Sequence, residues 1–307
     1  GWLSGVAATV LTVLAASPPN WKSGSKAGAA GIVALFTLAG VRIADAAPLP
    51  ESDSQVFLPM FPRDVSEHGH RIDWLIVVSG VFLAILFVIM CAWMLIACLK
   101  HNRNHQAVYD HGDSKRAVTV TLGVALFMFV FVDGNLWLNS AVDMHEVYWN
   151  FEKVEKDPKV VRIQINAHQW AWDARYAGPD GKFNTADDVV TFNDIRVPVD
   201  RPVIFQMASV DVIHSFYLPN MRVKQDVVPG MLTRTWFAAK ETGEFDLGCT
   251  QHCGVNHYKM KGRLSVLPDK EYERWLERSS RRAVGAYDPK DQGAHWGWEW
   301  KKEHDGV

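Results

Sequence analysis

The sequence predicts a membrane-anchored protein in two parts: an α-helical hairpin that crosses a bilayer, then an all-β external domain. Three observations carry that reading. Residues 74–99 contain no charged side chain, residues 117–138 contain only Asp133, and beyond Asp143 the chain changes to short alternating segments broken by proline and glycine. Whole-chain averages hide this division. The 307 residues include 32 basic and 34 acidic side chains, a net charge of −2, which argues against a nucleic-acid binder working through a general basic surface. A hydrophobic fraction of 48% excludes a disordered chain. Four cysteines are too few for a disulfide-built scaffold of this length.

Both apolar runs meet the requirement of about 20 residues for a span, and a soluble core helix seldom stays this apolar around its whole circumference. Asp133 and Asn135 fall near the end of the second run, where a polar group costs far less than at mid-bilayer. The linker carries Lys100, Arg103, Lys115 and Arg116. Between residues 44 and 74 the only basic residues, histidines aside, are Arg63 and Arg71. The positive-inside rule therefore makes the linker cytoplasmic and puts everything after residue 140 outside. The hairpin is expected over residues 48–142. Ahead of it, residues 1–47 hold an uncharged stretch at 27–41 that follows Lys22 and Lys26 and ends in Arg42-Ile43-Ala44-Asp45-Ala46. That is the outline of a secretory signal or of an extra span. Arg42 sits awkwardly near a cleavage site, so retention as an extra span, with a further short apolar stretch at 2–16, is the preferred reading. Either way Pro48 onward lies outside.

Residues 143–268 read as the external domain. Residues 159–165 alternate loosely, as a half-buried strand does, and further strands are expected at 189–192, 203–207, 212–218, 232–239 and 263–267. Pro198, Pro202, Pro219, Pro229-Gly230, Gly243 and Pro268 punctuate them. Short strands between turns suggest a β-sandwich or barrel. Residues 178–188 look like a hairpin tip. Its aspartates lack the full calcium-loop pattern, which favours a solvated turn. Residues 269–307 begin with a charged helix and end in HWGWEWKKEHD, whose tryptophans suggest an interface with a partner or the membrane surface.

The chemistry sits in one loop. Cys249, Cys253, His257 and Met260 fall within twelve residues, after the strand candidate GEFDLG, and Asp211-Val212-Ile213-His214 brings a second imidazole from another strand end. Thioether sulfur suits copper better than zinc. A mononuclear blue-copper site uses one cysteine, two histidines and a weak axial methionine, so one cysteine is left over. Two bridging thiolates shared between two coppers would use both, with Met260 and a backbone carbonyl of the loop completing the set. A Cys249–Cys253 disulfide or a structural zinc remains open, but neither alone predicts Met260 or His214. His252 reads as a bystander, and Cys91 and Cys98 as lipid-facing or packing residues.

With these motifs the chain resembles cytochrome c oxidase subunit II over residues 65–268. The resemblance rests on the two-span hairpin, Gln169-Trp170-Ala171-Trp172, Asp211 to Ser215, Lys224 to Gly230 and the Cys249–Met260 loop. It implies a cupredoxin-type Greek-key fold for the external domain and a dinuclear copper (CuA) centre. The implied ligands are Cys249 and Cys253 as bridges, His214 and His257, the Met260 thioether and the backbone carbonyl of Gln251. It implies that Trp170 receives electrons from cytochrome c, and that Asp211 helps hold or steer a basic cytochrome. Haem is implied only in the catalytic subunit I. The family usually has Glu where this chain has Gln251, and that carboxylate helps bind magnesium at the subunit I contact. A neutral amide is a weaker ligand for a hard cation, which argues against magnesium here. The carboxylate of the family's second span is missing from Lys115-Arg116-Ala117-Val118-Thr119, so its proton role does not transfer. Met231 stands where the family has Arg after Pro229-Gly230.

The expected function is electron input to a membrane haem-copper terminal oxidase that reduces oxygen, in a bacterial-type inner membrane with the cupredoxin domain on the periplasmic face. Cytochrome c, the catalytic subunit and lipid are the expected partners. Two alternatives carry the same ligands: a CuA subunit of a haem-copper nitric oxide reductase, and a copper-carrying assembly protein.

Overall fold

The computed structural model describes residues 61–288, apart from 102, 107 and 110, together with 290 and 296. The signal or extra span expected at 1–47, residues 48–60 and most of the tryptophan-rich tail lie outside the described residues. The chain divides into two compact units, Gly1–Ser54 with Ala92–Leu138, and Gln55–Cys91 with Asn139–Val307.

The first unit contains the later part of α1 (Gly69–Lys100), α2 (Lys115–Phe127), a π-helical stretch (Met128–Asp133) and the start of α3 (Gly134–Asp143). At 1.5 Å per residue α1 is about 48 Å long, enough to cross a hydrocarbon core with turns to spare. None of its side chains beyond Gly80 is buried. Such a surface is stable only in lipid. Two helical stretches, Gly69–Lys100 and Lys115–Glu155, are long and apolar enough to span. Ser114 starts α2 by accepting the Ala117 N–H at 3.2 Å on its Oγ, one of the orphan donors of the first turn.

The second apolar run stops at Leu138, but the helical chain does not. It continues through α3, a second π-helical turn (Met144–Tyr148) and α4 (Phe151–Glu155). Asp143, Val147, Phe151 and Val154 are buried along one face. Their spacing of four, four and three is that of a helix stripe, which packs on Ile204 and Trp236 of the external domain. Continuous apolarity ends where this amphipathic pattern takes over.

The second unit is a sandwich of two five-stranded sheets. One has the order β3-β2-β1-β5-β8, from Val189–Phe192, Ala171–Tyr176, Val161–His168, Pro202–Ser209 and Thr233–Ala238. The other runs β4-β10-β9-β6-β7, from Asp194–Pro198, Lys261–Leu267, Gly243–Cys249, His214–Leu218 and Val223–Val227. The pairs β1–β5 and β10–β4 are parallel; the other ladders are antiparallel. Ile163, Ile165, Trp172, Phe205 and Phe216 are fully buried between the sheets. Trp172 meets Phe216 edge-on at 5.4 Å, and Phe205 touches both Phe216 and Phe237, a continuous aromatic spine. Helix α5 (Asp269–Ala286) closes the sandwich with Tyr272 and with Trp275, whose ring lies 5.1 Å from Tyr176.

The turn at 178–188 is held by protein groups. Arg175, almost completely buried, donates to Asn184 Oδ1 at 2.5 Å and faces Asp188 at 3.6 Å, while Thr185 donates to Asp187 at 2.7 Å. The guanidinium supplies the positive charge that Asp188 faces.

Charge pairs join the sandwich to the start of α1. Arg222 donates to both Asp73 oxygens, at 2.6 and 2.9 Å, and to the carbonyls of Pro219 and Pro62. Arg71 pairs with Asp143 at 2.7 Å. Ser66 bridges to Ala239, and Tyr148 donates its hydroxyl to the His68 carbonyl.

Candidate metal centre

Two strand ends and one loop converge at one end of the sandwich. His214 opens β6 and Cys249 closes β9, and the two strands are paired through Phe216–Cys249. After Cys249 the chain loops out and returns through a short 3-10 turn (His257–Lys259) to Met260, where β10 begins. The Cys249 N–H donates to the Met260 carbonyl at 3.2 Å and the Thr250 N–H to the Ser215 carbonyl, which close the loop onto β6.

The ligand atoms of His214, Cys249 and Cys253 all lie within 4.8 Å of one another. The two Sγ atoms are 3.7 Å apart, and both cysteines are free. Cys253 Sγ is 3.5 Å from His257 Nδ1 and 3.7 Å from Met260 Sδ. His214 Nδ1 is 3.1 Å from Met260 Sδ. Cys249 Sγ lies 3.2 Å from the carbonyl oxygen of Gln251, whose side chain is exposed. All six positions singled out in the sequence as metal donors are therefore brought together. His252 is exposed, its ring 5.7 Å from that of His257.

The donor chemistry suits copper. Two thiol sulfurs, two imidazoles, a thioether and one carbonyl form a soft set, and thioether sulfur has little use for zinc. His214 is prepared for ligation. Its Nε2 donates to Asp211 Oδ1 at 2.8 Å, which fixes the proton there and leaves the Nδ1 lone pair facing the sulfurs. Burial opposes a charged His214, but its hydrogen bonds to Cys249 and Asp211 raise its pKa above the ordinary value. Burial likewise opposes an ionised Asp211, yet hydrogen bonds from His214 and from the Val212 and Gln169 N–H groups hold its carboxyl below the usual range. The two thiols divide. Against the penalty of burial, hydrogen bonding with His214 and with the backbone of Ser215 and Gln251 brings Cys249 down to about 6. Burial and the neighbouring Cys249 push Cys253 up to about 12. Without metal, the pair holds one negative charge readily and a second only with difficulty.

Trp170 sits directly on this loop. Its indole Nε1 donates to the Cys253 carbonyl at 3.1 Å, and Gln169 Nε2 donates to the same oxygen at 2.8 Å. The Gln169 N–H donates to Asp211 Oδ2 at 2.6 Å, so one residue ties the tryptophan to both ligand-bearing loops. Gly254 makes the approach possible. Its φ is +118°, and a Cβ there would lie 2.9 Å from Gln169 Nε2 and 3.1 Å from Trp170 Cζ2. Gln169 and Gly254 were not singled out individually, although both stand next to residues that were. Trp172 points the other way, fully buried, with its ring 6.0 Å from that of His214.

Comparison with known proteins identifies the family. The family model for cytochrome c oxidase subunit II, periplasmic domain, matches residues 144–265. The alternative cytochrome c oxidase subunit 2 of Bradyrhizobium diazoefficiens is 31% identical over 217 residues, 63% of this chain and 73% of that relative. The cytochrome c oxidase subunit 2 of Alkalihalophilus pseudofirmus is 26% identical over 223 residues, 69% of this chain and 60% of that protein. Among solved structures, the periplasmic domain of subunit II of cytochrome oxidase from Bradyrhizobium japonicum is 31% identical, covering 40% of this chain and 94% of its own, with a TM-score of 0.36.

Proposed function

Because the chain belongs to the cytochrome c oxidase subunit II family, we propose that it is the electron-accepting subunit of a haem-copper terminal oxidase. It is a membrane-anchored part of an oxidoreductase complex, and the family implies a copper centre. The finer reading makes that centre dinuclear, with Cys249 and Cys253 as bridges, His214 and His257 as imidazole ligands, and Met260 and the Gln251 carbonyl completing it. The observation that carries this is the convergence of two free cysteine sulfurs 3.7 Å apart with both imidazoles and the thioether. Bound there, a copper pair supplies one-electron relay between a donor cytochrome c and the haem of a separate catalytic subunit.

The chain's own residues do the rest. Asp211 keeps a proton on His214 Nε2 and so keeps Nδ1 available. The loop hydrogen bonds to Met260 and Ser215 hold the donors in place before and after each electron, which keeps reorganisation small. Trp170 offers an electron a short path, from the indole through its Nε1–H to the Cys253 carbonyl and on to a sulfur of the same residue. Packing around Met260, Cys253 and His214, all buried, shields these three donors from water, while Cys249 and His257 are half-buried. The external domain faces the periplasm in this reading, as the basic linker at 100–116 requires. Gln251 supports no magnesium site, its amide being a poor ligand for that ion.

Rapid mixing of the assembled complex with reduced cytochrome c tests the reading. It predicts reduction of a near-infrared copper chromophore before any haem, and loss of that phase in Cys249→Ser. Haem reduction that comes first, at an unchanged rate in Cys249→Ser, would contradict it.

A further inference from the structure

The outer face of the β3-β2-β1-β5-β8 sheet carries a buried polar row. Ile163 and Ile165 of β1 face the core, so Gln164 between them points away from it. Its cross-strand neighbours are Arg175 on β2 and Gln206 on β5, and Arg234 on β8 stands opposite Gln206. Four polar side chains thus cross the sheet in one register. On an open face they would be wet, yet Gln164, Arg175 and Gln206 are at most 1% exposed. Neither amide atom of Gln164 has a hydrogen-bond partner among the described residues, and a buried polar group left so is costly.

An aromatic ring lies over each end of the row. The Arg234 guanidinium is 5.1 Å from the Phe151 ring centre, so α4 covers the β8 end. At the β2 end the cover is Trp296, whose ring centre lies 4.4 Å from the Arg175 guanidinium. A guanidinium out of water gains from an aromatic face. Trp296 stands ten residues past Ala286, where α5 ends, and α5 packs on β3 and β4. Ten extended residues reach about 33 Å, against about 19 Å across five strands. Trp296, Trp298 and Trp300 alternate with Gly297, Glu299 and Lys301, the period that puts three indoles on one side of an extended segment.

We infer that the C-terminal tail docks on the outer face of its own sheet, with Trp296 anchored on Arg175 and the residues beside it covering Gln164 and Gln206. The indoles supply apolar cover, and an extended backbone brings the N–H and C=O groups that a buried amide needs. The strap braces the β1–β2 hairpin, whose tip is Gln169-Trp170. The expectation that the tail tryptophans meet a partner or the membrane surface gives way to an internal contact.

Amide hydrogen exchange of the full-length protein in detergent, read by mass spectrometry, tests the inference. The forms compared are the unmodified chain, a chain ending at Lys290, and Trp296→Ala. Docking predicts exchange about tenfold faster in β1 and β2 in both altered forms, with β6 and β9 of the other sheet unchanged. Arg175→Gln should release the tail from its anchor, so that trypsin cuts at Lys290 and Lys301 about tenfold faster than in the unmodified chain. Exchange that is unchanged in β1 and β2, or raised equally in both sheets, overturns the inference. So does a shortened chain that loses the catalytic subunit or its binding to lipid vesicles while β1 and β2 exchange as before, since the tail then serves a partner or the bilayer. Where the shortened chain or Arg175→Gln fails to fold, Trp296→Ala alone decides the matter.

Discussion

Strand β6 has two very different ends. At its start, His214 joins two thiols, a second imidazole and a thioether. Just past its finish, five residues on, Pro219–Met221 leads to Arg222, whose guanidinium is bonded to a carboxylate and two carbonyls. Charges at the stem end are complete without anything added. Donors at the metal end are held close together with lone pairs facing one another, an arrangement that makes sense when a cation takes up those lone pairs. The same sandwich thus supplies a charge-paired joint at one end and a cluster of soft donors at the other.

That contrast can be broken from either side. The largest effect is expected at the metal end, where Cys249→Ser should abolish the paired-copper EPR spectrum while the sandwich stays folded by circular dichroism, since Cys249 is only half-buried against the edge of the core. At the stem end, Arg222→Ala leaves Asp73 buried without its partner and should cost about 3–5 kcal/mol, read as a lower unfolding temperature of the detergent-solubilised protein with copper retained until unfolding. Trp170→Ala should slow delivery from the donor about tenfold or more, as truncating a contact hot spot does, with copper content intact by metal analysis. Gly254→Ala puts a Cβ against Gln169 and Trp170 at positive φ, costs about 1–3 kcal/mol, and should slow delivery less than Trp170→Ala does. Gln251→Ala should be nearly silent, within about 0.5 kcal/mol and with an unchanged copper spectrum, because only its carbonyl faces Cys249.

How far the sequence reached depended on what each segment buries. The spans were legible because lipid demands unbroken apolarity, and residues 74–99 of α1 have it. The second helix was read short because residues 139–155 need only one apolar face, Val147, Phe151 and Val154, against the sandwich. Strand β3 was read with its observed bounds, and β5, β6, β8 and β10 within a few residues, since each carries apolar or aromatic side chains between turn residues. Strands β2, β4 and β7 were missed. β2 carries Asp173 and Arg175 between buried aromatics, β4 ends in Pro198, and Lys224, Gln225 and Asp226 make β7 read as a loop. Donor spacing revealed the metal loop, since few purposes other than metal binding bring Cys, Cys, His and Met so close. The hydrogen bonds of Gln169, and the clearance that Gly254 provides, depend on a contact across some 84 residues of chain that no local pattern records.

The most direct measurement is the copper stoichiometry of fully loaded protein, taken with its EPR spectrum. Two bridging sulfurs predict two coppers per polypeptide and a signal from one unpaired electron shared equally between them. A single copper per chain with an ordinary four-line pattern, or zinc in its place, would contradict it.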